Sequence, residues 1–504
     1  MLRSASDDQS LLRRQTDADN LRRPRSPVSR LYEAGAHAFA PVTVHGDLAP
    51  EAPPALSERP LVVLLQGPVG PFFSRLQAHL EASGYRTIRI NFNASDWLFS
   101  RKRNAVKFVG DAARWERWFE AFVQDARPDC ILYFGCQREI HRIALAVADR
   151  FQVPTFSFEE GYLRPGFITM EPRGNNSLSP LAARAPALTA PVPPEELPAP
   201  GPDCGFVGMC AYAWAYYVFR SLTQAFYGRT VFHRSRPILP ELFRWLRNLT
   251  RKGLHVPANR KLMDELTTSA SRRYFVVALQ VHDDMQLRCS GRGWTNERLI
   301  QASLASFVRS APDDAILVFK VHPLERGHGQ PRAFIRRKAR IFGCEDRVRV
   351  LDDGSISQVL QHSRGLLTVN SSSALSALYH GVPILLLGES LVRHPEFAAC
   401  AESAADIDRF WTGAKAADLG EARNLLDNLR REALIPGSYY SSVGEAETMR
   451  RVIGRIESAG IAAAVRRRQL SLVIGGQFHR PAPRAAAEPV EGMTRLKEAG
   501  EGTA

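Results

Sequence analysis

Leu61-Val-Val-Leu-Leu-Gln-Gly-Pro68 is the stretch on which the fold turns. A short apolar run cut off by Gln-Gly-Pro reads as a strand that ends in a turn. A helical pattern over 72–83 follows, then the run Arg86-Thr-Ile-Arg-Ile-Asn91, so the ordered chain opens as strand, turn, helix, strand. The alternation continues through Cys130-Ile-Leu-Tyr-Phe134, a helical stretch over 139–151 and Thr155-Phe-Ser-Phe158. Residues 59–175 are therefore expected to form a first Rossmann-like domain.

The same alternation restarts at Tyr274-Phe-Val-Val-Ala-Leu-Gln280 and runs through Ala315-Ile-Leu-Val-Phe-Lys320, Val348-Arg-Val-Leu351, Gly365-Leu-Leu-Thr-Val-Asn370 and Pro383-Ile-Leu-Leu-Leu387. This predicts a second Rossmann-like domain over 266–440. The economical architecture is α/β and GT-B-like, two Rossmann-type domains facing across a cleft, since ligands of such sheets bind at strand carboxyl ends.

Residues 176–265 break the pattern, with a Pro/Ala-rich loop and then basic, aromatic helices containing Tyr212, Trp214, Tyr216, Tyr217, Arg234, Arg236, Trp245, Arg247, Arg251 and Lys252. This connector is an insertion or a bridge. Its composition suits a surface that meets lipid headgroups, and equally helix packing with a solvated basic face. Residues 441–479 are expected to supply a helix that packs back. The Arg- and Pro-rich stretch 1–58 and the Ala/Pro/Glu-rich stretch 480–504 read as disordered tails.

Bulk properties agree with this layout. A chain of 504 residues exceeds one ordinary core, and 45% hydrophobic with 23% charged residues is a globular balance. The net charge of +14 is spread over an arginine-rich head and the connector without a nucleic-acid recognition motif, so no nucleic acid is expected as partner. Seven cysteines, none in a CxxC pair, build no zinc site, and neither a metal nor a cofactor is expected. With no apolar run of membrane-spanning length and no signal-peptide core, the protein is expected in the cytoplasm.

The chemistry is expected at strand ends. Val369-Asn-Ser-Ser-Ser373 places hydroxyls at the start of a helix, where unpaired amides suit a phosphate, although a serine there can also simply cap the helix. In Lys320-Val-His-Pro323 a strand runs into a histidine fixed by the proline after it. Two acidic pairs, Glu159-Glu160 and Asp283-Asp284, follow strands of the two halves, and neighbouring acids can push one another's pKa upward for acid or base work. Arg164 follows the first pair closely, Arg138 and His141 lie at the start of the helix after Phe134, and a guanidinium can hold a carboxylate bidentately.

Taken in order, Leu65-Gln-Gly-Pro-Val-Gly-Pro-Phe-Phe73, Asn91-Phe-Asn93 with Asp96, Phe158-Glu-Glu-Gly-Tyr-Leu-Arg-Pro165, Leu279-Gln280 with Asp284 and Gln286, Lys320-Val-His-Pro323 and Val369-Asn-Ser-Ser372 resemble the capsule polysaccharide biosynthesis and export family, closest to its KpsS/LipB branch. The resemblance spans roughly 61–440. Cys136, where an acid is expected, and Met285 depart from the pattern.

The resemblance implies a retaining β-Kdo transferase that places the first Kdo from CMP-Kdo on phosphatidylglycerol and so initiates a lipid-anchored capsule. It would work as a peripheral protein on the inner face of the cytoplasmic membrane, beside other capsule biosynthesis and export proteins. By motif position Asp284 is the nucleophile, Asp283 replacing it in another register, and Glu160 the acid/base with Glu159 as its understudy. His322, Pro323, Lys320, Ser371, Ser372, Ser373 and Gln280 would bind the donor. Arg164, Arg138, His141, Gly67 and Gly70 would meet the sugar carboxylate or the acceptor. Two other readings stay open: a transferase for another CMP- or UDP-sugar, and a non-catalytic export scaffold.

Overall fold

The computed structural model describes residues 59–100, 104–201, 206–223, 238–282 and 284–460. The strands are β1 (Leu61–Leu64), β2 (Arg86–Asn91), β3 (Ala105–Lys107), β4 (Cys130–Phe134), β5 (Thr155–Glu160), β6 (Phe167–Pro172), β7 (Tyr274–Ala278), β8 (Ile316–Lys320), β9 (Val348–Leu351), β10 (Gly365–Thr368), β11 (Ile384–Leu386), β12 (Ala399–Cys400) and β13 (Leu434–Pro436).

They form two sheets. The first runs β13-β6-β5-β4-β1-β2-β3, parallel from β3 to β5 and antiparallel at β6 and β13. The second runs β12-β11-β10-β7-β8-β9, parallel throughout. Every residue of β1, β4, β7 and β10 is buried, because helices cover both faces of each sheet. Strand order reverses between β1 and β4 in the first sheet and between β7 and β10 in the second. Crevices open at such switch points, outside the carboxyl ends of the strands.

The domains are interleaved more than the sequence pattern predicts. The 3-10 segment Ala182–Thr189 packs on the helix Leu419–Ala433, whose Asn428 Nδ2 donates to the carbonyls of Leu188 and Ala190, each at 2.8 Å. The chain then crosses back early: β13 pairs with β6 of the first sheet, Leu434 opposite Thr169 and Pro436 opposite Phe167. The helix Glu445–Ser458 follows, burying Met449, Val452 and Ile456 against Leu76 and Leu80. The return to the first domain thus begins at Leu434 instead of 441, since the edge of β6 offers unpaired backbone groups that β13 satisfies.

Candidate functional site

The loops after β1 and β4 are joined by a buried polar chain. Arg138 donates from a terminal guanidinium nitrogen to Gln66 Oε1 at 2.9 Å, and Gln66 Nε2 reaches the Tyr216 hydroxyl at 3.1 Å. That hydroxyl donates to Asp96 Oδ1 at 2.9 Å, while Asp96 Oδ2 accepts the Phe92 N–H at 2.9 Å. Asn93 caps the helix Ala94–Leu98 in a reciprocal capping box with Asp96. The Asn-Phe-Asn…Asp motif is therefore a brace that fixes where Arg138 sits.

At the end of β5, Tyr439 donates its hydroxyl to the Glu159 carbonyl at 2.7 Å, and Tyr440 donates to Glu160 Oε1 at 2.8 Å. Glu159 is partly buried, and its carboxyl is pushed up to about 7. Burial is the main cause; the charges of Glu160 and Asp284 add to it, while Arg138 and the Glu160 N–H oppose it. Asp284 belongs to the other half, and its charge is the smallest of these influences.

The switch point of the second sheet is also locked. Asp284 caps the helix Met285–Ser290, its Oδ1 accepting the Gln286 N–H at 2.9 Å. Its Oδ2 takes Gln280 Nε2 at 3.4 Å, and Gln280 Oε1 accepts the Asn370 N–H at 3.5 Å. Asn370 Nδ2 in turn donates to the Gln286 carbonyl at 2.9 Å. Gln280, Asp284, Gln286 and Asn370 therefore hold one another at the ends of β7 and β10. Buried Asn370 Oδ1, Gln286 Oε1 and Ser373 Oγ have no hydrogen-bond partner in the protein, which leaves acceptor and donor capacity for a polar ligand. Asp283 lies outside the described residues.

His322 follows β8. Its Nδ1 accepts the Leu324 N–H at 3.2 Å, which assigns the ring proton to Nε2 and makes that atom a donor. Burial, then the charges of Lys320, Arg164 and Arg326, push its pKa down to about 4, so it is neutral near pH 7. Arg164, whose charge is among these influences, follows β5 of the first half and donates its Nε–H to the Gly161 carbonyl at 3.1 Å. Lys320 is buried, donates to the Val321 carbonyl at 3.4 Å and is lowered to about 8 by burial; it sets the local potential from beneath the loop. Ser371 and Ser372 are accessible ahead of the seven-residue helix Ser373–Tyr379, and Ser373 is buried.

Three expected contacts are placed elsewhere. His141 is 0% exposed, with Nδ1 on the Gly135 carbonyl at 2.9 Å and its ring against Tyr133. Burial lowers its pKa to about 3, so it is a neutral core brace with no route to a substrate. Gly67 and Gly70 are buried too: a Cβ on Gly67 would stand 2.7 Å from Phe73 Cγ, and Gly70 has φ +106° with Tyr212 against it. Their absent side chains make room for rings instead of for an acceptor. Arg247 and Arg251, in the connector read above as either a headgroup surface or packed helices with a solvated basic face, donate to the carbonyls of Gly327, Arg326 and Gly329 and so hold the loop after His322.

Other residues gained a role only in three dimensions. Gln137 Nε2 donates to Ser290 Oγ at 3.0 Å and Ser177 meets the same hydroxyl at 2.6 Å, tying the two halves together beside the cleft. Cys136 is a buried thiol that takes the Asn175 N–H at 3.5 Å, and burial pushes its pKa up to about 12, which makes it a wall and not a nucleophile. Tyr439 and Tyr440 carry no local signal, since nothing in a Tyr-Tyr pair indicates which strand it will meet.

The profile of the family described as capsule polysaccharide biosynthesis protein matches residues 129–440. The chain is 31% identical over 332 residues to the capsule polysaccharide export protein KpsS of Escherichia coli, covering 65% of this chain and 85% of that one. It is also 31% identical over 341 residues to the capsule polysaccharide modification protein LipB of Neisseria meningitidis serogroup A, covering 65% and 80% respectively. Among solved structures, the beta Kdo 2,4 transferase KpsC of Thermosulfurimonas dismutans aligns with a TM-score of 0.35 at 13% identity, over 73% of this chain and 90% of that one.

Proposed function

The chain belongs to the capsule polysaccharide biosynthesis family, and from that premise we propose that it is a glycosyltransferase that moves a Kdo residue from CMP-Kdo to phosphatidylglycerol with retention, at the inner face of the cytoplasmic membrane. The observation that carries this reading is the contact of Gln137, after β4, with Ser290 Oγ at 3.0 Å, which brings the helix capped by Asp284 against the first half, where Glu159 and Glu160 end β5.

In the first displacement the Asp284 carboxylate attacks the anomeric carbon, the bond to the CMP phosphate breaks, and CMP leaves with the electron pair. The Gln280 amide and the helix N-H of Gln286 hold that carboxylate in one orientation. Oxocarbenium character at a tertiary centre is what a nearby anion stabilises or traps. The Nε2–H of neutral His322 and the hydroxyls of Ser371 and Ser372 donate to the phosphate as its charge grows. In the second displacement the acceptor hydroxyl attacks the same carbon, its proton passes to Glu160 or Glu159, and Asp284 departs. Two inversions give retention. Arg164 and Arg138 are the guanidinium groups assigned to the sugar carboxylate in this reading, each already oriented by a hydrogen bond to the protein, to Gly161 and Gln66 respectively.

The test is to incubate the full-length protein with CMP-Kdo and a short fluorescent phosphatidylglycerol, then weigh the lipid by mass spectrometry. A gain of one Kdo supports the proposal. Unchanged lipid, with folded protein and intact donor, sinks it, and a product formed only from another nucleotide sugar moves the donor assignment.

A further inference from the structure

The helix Ile238–Thr267 has two opposed faces. One grips the second domain: Arg247 Nε donates to the Gly327 carbonyl at 2.8 Å, Asn248 Nδ2 to that of Pro323 at 3.0 Å, and Asn259 Nδ2 to Asp352 Oδ1 at 2.7 Å. At about 100° per residue the opposite face carries Phe243, Leu246, Leu249 and Leu254 within an arc of about 140°. These side chains are 69, 51, 61 and 76% exposed. The helix Phe206–Leu222, which touches it, adds Trp214 and Leu222 at 62 and 68%. Single exposed apolar residues need no explanation, but a cluster of this size on neighbouring helices marks an interaction surface.

Charge says what kind. Residues 206–267, which span both helices, contain ten Lys and Arg and three acids, Glu241, Asp264 and Glu265. Arg247 and Arg251 are met by carbonyl oxygens, which leave their positive charge in place. Lys252, Arg260 and Lys261 are exposed beside the apolar residues. Position says why it matters. The helix Phe206–Leu222 is anchored through Tyr216 to Gln66 and Asp96 of the first half, and its neighbour to the loop that follows His322 in the second. The pair therefore lies beside strand-end loops of both domains.

We propose that this helix pair docks on an anionic lipid bilayer, its apolar residues entering the boundary between headgroups and acyl chains and its Lys and Arg residues meeting the phosphates. An apolar stripe flanked by an excess of positive charge complements a negatively charged bilayer. Among the described residues no helix is long and apolar enough to cross a membrane, so the pair lies on the surface. The docking surface deepens the transferase reading, by setting the cleft at the lipid, but rests on its own observations.

The experiment is co-sedimentation of the full-length protein with phosphatidylcholine vesicles, with and without phosphatidylglycerol, for wild type, Leu246→Glu/Leu249→Glu and Trp214→Glu. Wild type should bind the anionic vesicles more tightly and release with salt. Each variant should lose about tenfold or more in partitioning, because the large apolar side chains that enter the bilayer are replaced by a charge, while keeping its Tm and its binding of CMP. Unchanged vesicle binding by both folded variants overturns the proposal. So does a loss of self-association in light scattering with vesicle binding intact, which would assign the face to a second copy. Vesicle binding without sugar transfer would sustain the surface and sink the acceptor reading alone.

Discussion

Tyr440 donates its hydroxyl to Glu160 Oε1 at 2.8 Å although 280 residues separate them in the chain. The contact exists because β13 returns to the first sheet and carries the segment after it over the end of β5. A charge-assisted bond of this kind fixes which carboxylate oxygen faces the cleft. Tyr440→Phe removes the donor and keeps the ring, so the rate of transfer should fall by about tenfold, for about 1.4 kcal/mol of lost interaction, with Tm nearly unchanged. A rate equal to wild type would make Glu160 a bystander.

Asp284 serves both as proposed nucleophile and as the cap of the helix Met285–Ser290. Asp284→Ala would confuse the two roles, because losing a cap costs about 1 kcal/mol. Asp284→Asn keeps a cap and removes the anion. It should lose transfer by at least about a hundredfold while binding CMP as before in calorimetry; normal turnover by this variant removes Asp284 as nucleophile.

Glu159 makes stability depend on pH in a stated direction. Its folded pKa of about 7 lies above the ordinary carboxyl value, so between the two the native state binds more protons than the unfolded state. Its contribution is fully present at acid pH below the unfolded pKa and is lost as pH rises through about 7. Thermal melts across that window should therefore fall less steeply with rising pH for Glu159→Gln than for wild type. Parallel curves would contradict the buried-carboxyl assignment.

His322 has the opposite sign. A folded pKa of about 4, below the ordinary imidazole value, gives a contribution present above the unfolded pKa and lost as pH falls towards 4. His322→Gln should flatten the acid limb of the melting profile. In kinetics, Gln preserves an N–H donor and Ala does not, so the KM for the sugar nucleotide should rise more for His322→Ala. Equal KM values for the two variants would argue against the Nε2 donor role.

Gly67→Ala separates packing from binding. A Cβ there would stand 2.7 Å from Phe73 Cγ, inside a buried turn, and overpacking of this kind costs about 1–3 kcal/mol. The expected result is a Tm lowered by several degrees with KM for the acceptor little changed. A raised KM at unchanged Tm would restore Gly67 to the acceptor site.

The fold was legible because apolar runs such as those of β1 and β7, buried on both faces, have no other stable home than a covered parallel sheet. Their alternation with helices determined two doubly wound halves, and the strand-end rule pointed at His322 and at the pair Asp283-Asp284, while Gln280 and the choice of Asp284 came from the family motifs. The apolar spacing Ile140, Ala144, Val147 and Ala148 also places the neighbouring His141 on the inner face of its helix, a signal that outweighs its chemistry. Only the tertiary structure decided that β13 joins β6, that Tyr440 reaches Glu160, that Gln137 meets Ser290, and that Arg247 turns inward while Leu246 turns out. Local sequence fixes period and propensity within a few turns of chain, whereas these contacts depend on which distant surfaces are brought together when the sheets close, and a side chain's partner is known only once its neighbours are in place.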